Sequence, residues 1–519
     1  MSTSWVRRSV RTVSLRNAVI LSAVASQALS QTRLDELRAN ADRFMAELDE
    51  EFYLHFAGHK ETLDLGSIYE RHAELATLET AQELGASVDG DRRLRELWRF
   101  SAEGFLGNLT REHAEREAAL EAELAADFEG DRIPFRMLRP TIANEPDRDR
   151  RGRLDEIRVS LTEEHLNPLH LESARTIRRA VGQLGASSYL ELYRDRFRMG
   201  LDALAEQCRT FLDDTERLWE DAGDKLFRER AGVPLSEAKR YDTARVFRAP
   251  VWDEHFPGEK MLPALEATLS DLGIDLRSQQ NVHLDVEQRP LKSPRAFCSP
   301  IEVPDKVMLV IQPMGGPDDW RALFHEAGHT EHFAHTSRNL TVEERRLGDN
   351  AVTEGWAMLL QHLTDEPAWL NRRLDFPRAG DFAAEGAAGL LFFVRRYCAK
   401  LLYELEFHAA DDPATMSGRY VELLGDALKI EPSPKDYLGD IDAGFYVSSY
   451  LRSWAFEAQL RDFLREEFDE NWFSRREAGT LLRELWELGQ QPTAEELLKD
   501  VTGQTLDMGS VGARVREFL

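Results

Sequence analysis

Through the first half of the chain, apolar residues recur every three or four positions among charged ones. Leu34, Leu37, Phe44, Leu48 and Phe52 form one such stripe, the mark of an amphipathic helix with one buried face. The same spacing predicts helices over 68–84, 94–124, 154–166 and 189–226. Breaks fall where Gly and Pro collect, at 85–90, at 129–146 (EGDRIPFRMLRPTIANEP) and at 232–234. No fixed-period repeat interrupts this half.

Near Tyr241 the texture changes. Pro250 breaks the stretch 241–257, and a short helix is expected over 261–272. Val282, Leu284 and Val286 then alternate with His283 and Asp285, predicting a half-buried strand. The stretch 296–303 is irregular, with Pro300 marking an edge or bend. VMLVI at 307–311 reads as a buried strand. The pattern predicts a mainly α protein with a small β-sheet, divided into a helical lobe at 32–240 and a second lobe at 241–519. Residues 1–31 stand apart. Arg7, Arg8, Arg11 and Arg16 precede a weak apolar stretch broken by Ser22, Ser26 and Gln27, which fits either a processed leader or an unstructured start.

At 519 residues the chain can bury a large core or two lobes around a cleft. Its 93 acidic residues outweigh 66 basic ones, for a formal charge of -27. Such a surface repels phosphate backbones and argues against nucleic acid as a partner. Three widely spaced cysteines, Cys208, Cys298 and Cys398, form no disulfide framework or CxxC pair, in keeping with a reducing, cytoplasmic setting. No apolar run reaches membrane-spanning length.

The chemistry concentrates at LFHEAGHTEHFAH, residues 323–335. On a helix, His325 and His329 share a face and can point at one ion, with Glu326 one step round beside the ion's open position. This HExxH pattern implies one bound Zn2+ and a carboxylate able to take a proton from water. The context suits a helix: Pro317 follows Gly316, Asp318 and Asp319 occupy the first turn, and Trp320, Leu323, Phe324, Ala327 and Gly328 supply an apolar side. Gly315 and Gly316 would let backbone approach a substrate closely, although a turn before a helix requires glycine in any case. The strand at 307–312 or its neighbour is expected to offer an edge to which an extended peptide could add.

Catalytic zinc takes three protein ligands and leaves one position for water. Two residues compete for the third place. His335 stands where HExxHxxGxxH enzymes carry theirs, but here His332 replaces the turning glycine, so the helix should run on and carry His335 out of reach. Glu354, in GDNAVTEGWAMLLQHL, would sit early in a returning helix capped within Gly348, Asp349 and Asn350, with Trp356, Ala357, Leu360 and Leu363 as its apolar face. A glutamate among such neighbours needs a charge partner, which favours Glu354.

HEAGHTEH and TEGWA, together with AFCSPIEVPDKVMLVIQPMGGPDDW and DAGFYVSSYLRSW, resemble the thimet oligopeptidase and oligoendopeptidase family of zinc metallopeptidases, and more distantly angiotensin-converting enzyme. The match runs from about Tyr241 to Ser453, while the first two hundred residues match only in being helical. The resemblance implies two lobes enclosing a deep channel, oligopeptide substrates, and Zn2+ on His325, His329 and Glu354. It implies Glu326 as general base, Tyr446 as donor to the oxyanion, and His332 and Tyr450 close to substrate. Phe445, Ser448 and Ser449 depart from the family pattern, and Tyr450 is one residue off its usual spacing. Two rival readings remain at this level. One is a carboxypeptidase or dipeptidase, with Arg395, Arg396 or Arg452 anchoring a terminal carboxylate. The other is a helical binding protein whose zinc is structural, closed by His332 or His335, or lost.

Overall fold

The computed structural model describes residues 29–88 and 90–519. The leader question therefore falls largely outside the described residues. Helix α1 (Gln31–Phe56) begins where the Ser30 hydroxyl accepts the Arg33 amide at 3.2 Å, satisfying one of the donors a helix start leaves unpaired. Helix α2 (Arg92–Glu123) follows the glycine-rich break and is capped by Asp91. The break at 129–146 is more than a loop. Strands Ala125–Phe128 and Asp131–Pro134 pair antiparallel there, and a helix follows over Phe135–Asn144. Four-residue strands are too short to show alternation in sequence. They nonetheless bury Ala126 and Phe128 against Leu138, Ile142 and Leu154 in a small satellite core.

Beyond Tyr241 the three strands appear near their predicted places: β1 (Val282–Asp285), β2 (Phe297–Glu302) and β3 (Lys306–Val310). Their order corrects one expectation. The apolar β3 lies in the middle, parallel to β1 and antiparallel to β2. Both its edges are hydrogen-bonded, so it cannot take up a peptide as a further strand. Its neighbours β1 and β2 are the edges, and the register of β2 shifts between Ser299 and Glu302, around Pro300, which has no amide hydrogen to give.

Helices α3 (Pro317–His335), α4 (Asn350–Gln361), α5 (Ala379–Ala409) and α6 (Val447–Phe468) form the centre of the molecule. α4 is sandwiched between α3 and α6, and two glycines set the spacing. A Cβ on Gly328 of α3 would stand 2.5 Å from both Ala357 Cα and Trp356 O of α4. A Cβ on Gly355 of α4 would stand 2.4 Å from the Phe456 ring of α6. A side chain at Gly328 would force backbone movement, and one at Gly355 would displace the buried Phe456 ring. One cluster of buried side chains, from Leu37 to Val515, crosses the Tyr241 boundary and includes Trp320, Phe324, Trp356 and Phe456. Among the described residues no helix is long and apolar enough to cross a membrane.

Candidate metal centre

α3 starts as its sequence dictates. Gly315 and Gly316 adopt φ of 92° and 89°, a region glycine enters without steric cost. The Asp319 carboxylate turns back to accept the amides of Met314 at 2.7 Å and Gly315 at 2.9 Å. A Cβ on Gly315 would meet Phe256 O and Gly258 N at 2.9 Å, so this glycine is required by backbone packing. Both glycines also line the main cavity. The helix runs unbroken through His332 to His335.

α4 has no solvent-facing side from Ala351 to Leu360. Its few polar groups must therefore find partners inside the protein, and they find them on α3. Glu354 Oε2 lies 3.5 Å from His325 Nε2 and 3.9 Å from His329 Nε2. One ligand atom from each of these three residues lies within 4.8 Å of the others. Two further α4 residues aim the rings: His325 Nδ1 meets Gln361 Oε1 at 2.8 Å, and His329 Nδ1 meets Thr353 Oγ1 at 2.9 Å. With Nδ1 engaged, each imidazole presents Nε2 to the shared point.

The electrostatics suit a cation there. Burial, and for His325 the neighbouring His329, pushes both imidazoles down to about 4, which leaves them neutral and able to ligate at pH 7. Glu354 Oε2 is buried and accepts no hydrogen bond. An orphaned carboxylate oxygen facing two lone-pair nitrogens is costly without a positive partner. The donor set, two imidazoles and a carboxylate, fits Zn2+ with room for one further ligand.

Glu326 lies on the cavity side of α3, where Oε2 accepts the Cys298 amide of β2 at 2.9 Å. Burial pushes its carboxyl up to about 7. Tyr446, at the start of α6, donates its hydroxyl to Glu354 Oε1 at 2.8 Å. Burial and the nearby Glu354 charge raise this phenol far above its ordinary value, so it stays protonated. It is held by two consecutive left-handed residues, Gly444 (φ 66°) and Phe445 (φ 53°). The Gly444 amide donates to Tyr189 Oη at 2.9 Å, and the buried Phe445 ring sits against Tyr189, Tyr193 and His408. Tyr450 lines the cavity, its ring 5.2 Å from that of Tyr446 and 5.6 Å from that of Tyr397.

The structure places His332 and the three candidate arginines away from substrate, and it carries His335 out of reach as the unbroken helix requires. His332 is fully buried, packed between Phe333 and Trp356 rather than toward the cavity, so it does not contact a substrate held there. His335 packs on Trp486 and engages the Glu331 carbonyl at 2.9 Å. Neither histidine joins the cluster, which leaves three donors converging among the described residues. The proposed carboxylate anchors are committed as well. Arg395 donates to Ala427 O, Leu212 O and Thr215, Arg396 pairs with Asp440, and Arg452 clasps Asp349. Asp349 also caps α4 through the Ala351 amide.

The cluster opens on a cavity of about 1010 Å3 lined by α3, α5, Arg139 and Pro140. Leu226, Phe247, Leu390 and Phe393 give it apolar walls.

No protein-family model matches the sequence, and no curated protein does. Solved structures do match over almost the whole chain. A Bacillus anthracis protein assigned as oligoendopeptidase F is 17% identical with a TM-score of 0.56, covering 94% of this chain and 85% of its own. Another structure assigned as oligoendopeptidase F is 17% identical with a TM-score of 0.60, covering 97% and 95%. Pz peptidase A, solved with an inhibitor, is 19% identical with a TM-score of 0.55, covering 94% and 87%. The chain therefore has the mainly helical oligopeptidase fold, and at its centre a His-His-Glu group able to hold a metal ion.

Proposed function

We propose that the protein is a zinc-dependent peptidase that hydrolyses peptide bonds in short oligopeptides entering the central cavity. The observation that carries this reading is the convergence of His325, His329 and the orphaned Glu354 oxygen beside Glu326. The fold shared with oligoendopeptidase F and Pz peptidase A supports peptides as the substrate class.

Zn2+ held by these three residues would supply Lewis acidity to a substrate carbonyl and to the attacking water. Glu326, with its carboxyl near neutrality, accepts the proton from that water and passes it to the leaving amine nitrogen. The Cys298 amide fixes one Glu326 oxygen and leaves the other free for the transfer. Tyr446, a neutral phenol already aimed at the ligand cluster, exchanges Glu354 for the carbonyl oxygen as negative charge develops on it. A cavity of this size, walled by both halves of the chain, admits an extended segment and excludes a folded domain.

Glu326→Gln tests the mechanism. It keeps the Cys298 contact and removes the proton acceptor, so zinc content should hold while kcat falls about 10²–10⁴-fold. Wild-type turnover in that variant eliminates the mechanism.

A further inference from the structure

Five arginines line the cavity: Arg139, Arg248, Arg295, Arg321 and Arg514. Three are neutralised by carboxylates. Arg248 holds Asp253 at 2.7 Å, Arg321 holds Asp365 at 2.7 Å, and Arg514 holds Glu457 at 2.7 Å. Arg139 and Arg295 make no ion pair among the described residues. Arg139 still sits in the field of Asp436 and Asp440, shared with Arg158 and Arg396. Arg295 differs, because its charge acts on Glu326 and Asp318. Asp318 already leans on Arg321 at 3.7 Å, and Glu326 takes the Cys298 amide.

The backbone around Arg295 is firmly held. Lys292 Nζ is tied to Asp285 O at 2.7 Å, Asp285 Oδ1 at 2.9 Å and Glu287 O at 2.9 Å. The Ser293 amide donates to Phe56 O at 2.7 Å, Ala296 is buried, and Phe297 pairs with Val310. A fixed backbone thus carries an exposed, unneutralised guanidinium along the wall that bears Glu326. In a chain with 93 acidic and 66 basic residues, such a cation is not explained by a surplus of base. A planar fork of donors matches a carboxylate in two-point contact, which an ammonium cannot reproduce.

We propose that Arg295 is a carboxylate-binding subsite of this cavity, selecting peptides that carry a negative charge within a few residues of the cleaved bond. The charge belongs to an Asp or Glu side chain or to a free C-terminus. The proposal rests on the peptidase reading and adds a substrate class to it.

The test uses a peptide series on the zinc-loaded full chain. Glu is scanned against Gln at positions flanking the cleaved bond, each peptide carrying a free or an amidated C-terminus. Wild type should favour one carboxylate-bearing member over its neutral counterpart by about tenfold or more in kcat/KM, mostly through KM. The arm that shows the preference identifies side chain or terminus. In Arg295→Met the ratio should fall close to one, and Arg295→Lys should keep an intermediate ratio. A wild-type ratio near one in both arms overturns the proposal, as does an unchanged ratio in Arg295→Met. An equal loss on every peptide also overturns it, since that marks backbone binding or a structural role. If wild type cleaves none of the peptides, the peptidase reading itself falls.

Discussion

Replacing Gly328 by Ala probes the contact on which the metal geometry depends. The added methyl would stand 2.5 Å from Ala357 Cα and Trp356 O, against the 3.4 Å where ordinary contact begins, so α3 and α4 must part by roughly 0.9 Å. Both obstacles are backbone, and α4 is buried on all sides from Ala351 to Leu360, so no side-chain rotation can absorb the change. Overpacking of this kind costs about 1–3 kcal/mol. The larger effect falls on the ion. His325 and His329 ride on α3 and Glu354 on α4, whereas ligand distances tolerate only about 0.2 Å. Gly328→Ala should therefore fold with a lowered Tm and bind Zn2+ about 10–100-fold more weakly, on the scale of metal-site losses from displaced support. Gly107→Ala is the control. Gly107 lies within α2 with nothing inside 4 Å of a built Cβ, so the same change should stabilise by about 0.5–1 kcal/mol. Chelator competition gives the affinity and thermal unfolding the stability. Wild-type zinc affinity and Tm in Gly328→Ala would refute the reasoning.

Gln361→Met removes the acceptor that orients His325, and chelator competition should show zinc affinity lower by about 10–100-fold with the fold intact. Tyr189→Phe strips the Gly444 amide of its acceptor and loosens the turn before Tyr446. Steady-state kinetics should show kcat down about tenfold with KM and zinc content near wild type, since an unpaired buried amide costs about 1–3 kcal/mol. Burial alone would raise the Glu457 carboxyl, but Arg514, His362 and Arg461 more than offset it and hold it at about 2. A depressed carboxyl stabilises the fold above its unfolded value near 4.3 and loses that contribution as pH falls toward 2. Glu457→Gln should lower stability at pH 7 by about 3 kcal/mol, because it strands buried arginines, and should flatten the decline between pH 5 and 2. Denaturant unfolding across that range reads both effects.

Local rules carried the sequence reading furthest where they suffice. The i, i+4 pair of imidazoles, the cap within Gly348, Asp349 and Asn350 and the run of α3 through His332 depend on helix geometry alone, and each appears in the structure. Gln361 was missed, although its place two turns beyond Glu354 on the same face of the helix could have found it. Other features were hidden for physical reasons. The donor to Glu326 is a backbone amide of β2, which no residue type announces. Arg395, Arg396 and Arg452 looked available because Thr215, Asp440 and Asp349, which engage them, are distant in sequence. VMLVI read correctly as a buried strand, yet apolarity alone does not say that a strand has neighbours on both sides.

Zinc K-edge X-ray absorption on the metal-loaded protein tests the central claim most directly. The account predicts one Zn2+ per chain with two imidazole nitrogens at about 2.0–2.1 Å and the remaining ligands oxygen, one of them exchangeable. Glu354→Gln should alter the oxygen shell and leave both imidazoles in place. A third imidazole or a sulfur in the shell, or a shell unchanged by Glu354→Gln, would contradict it.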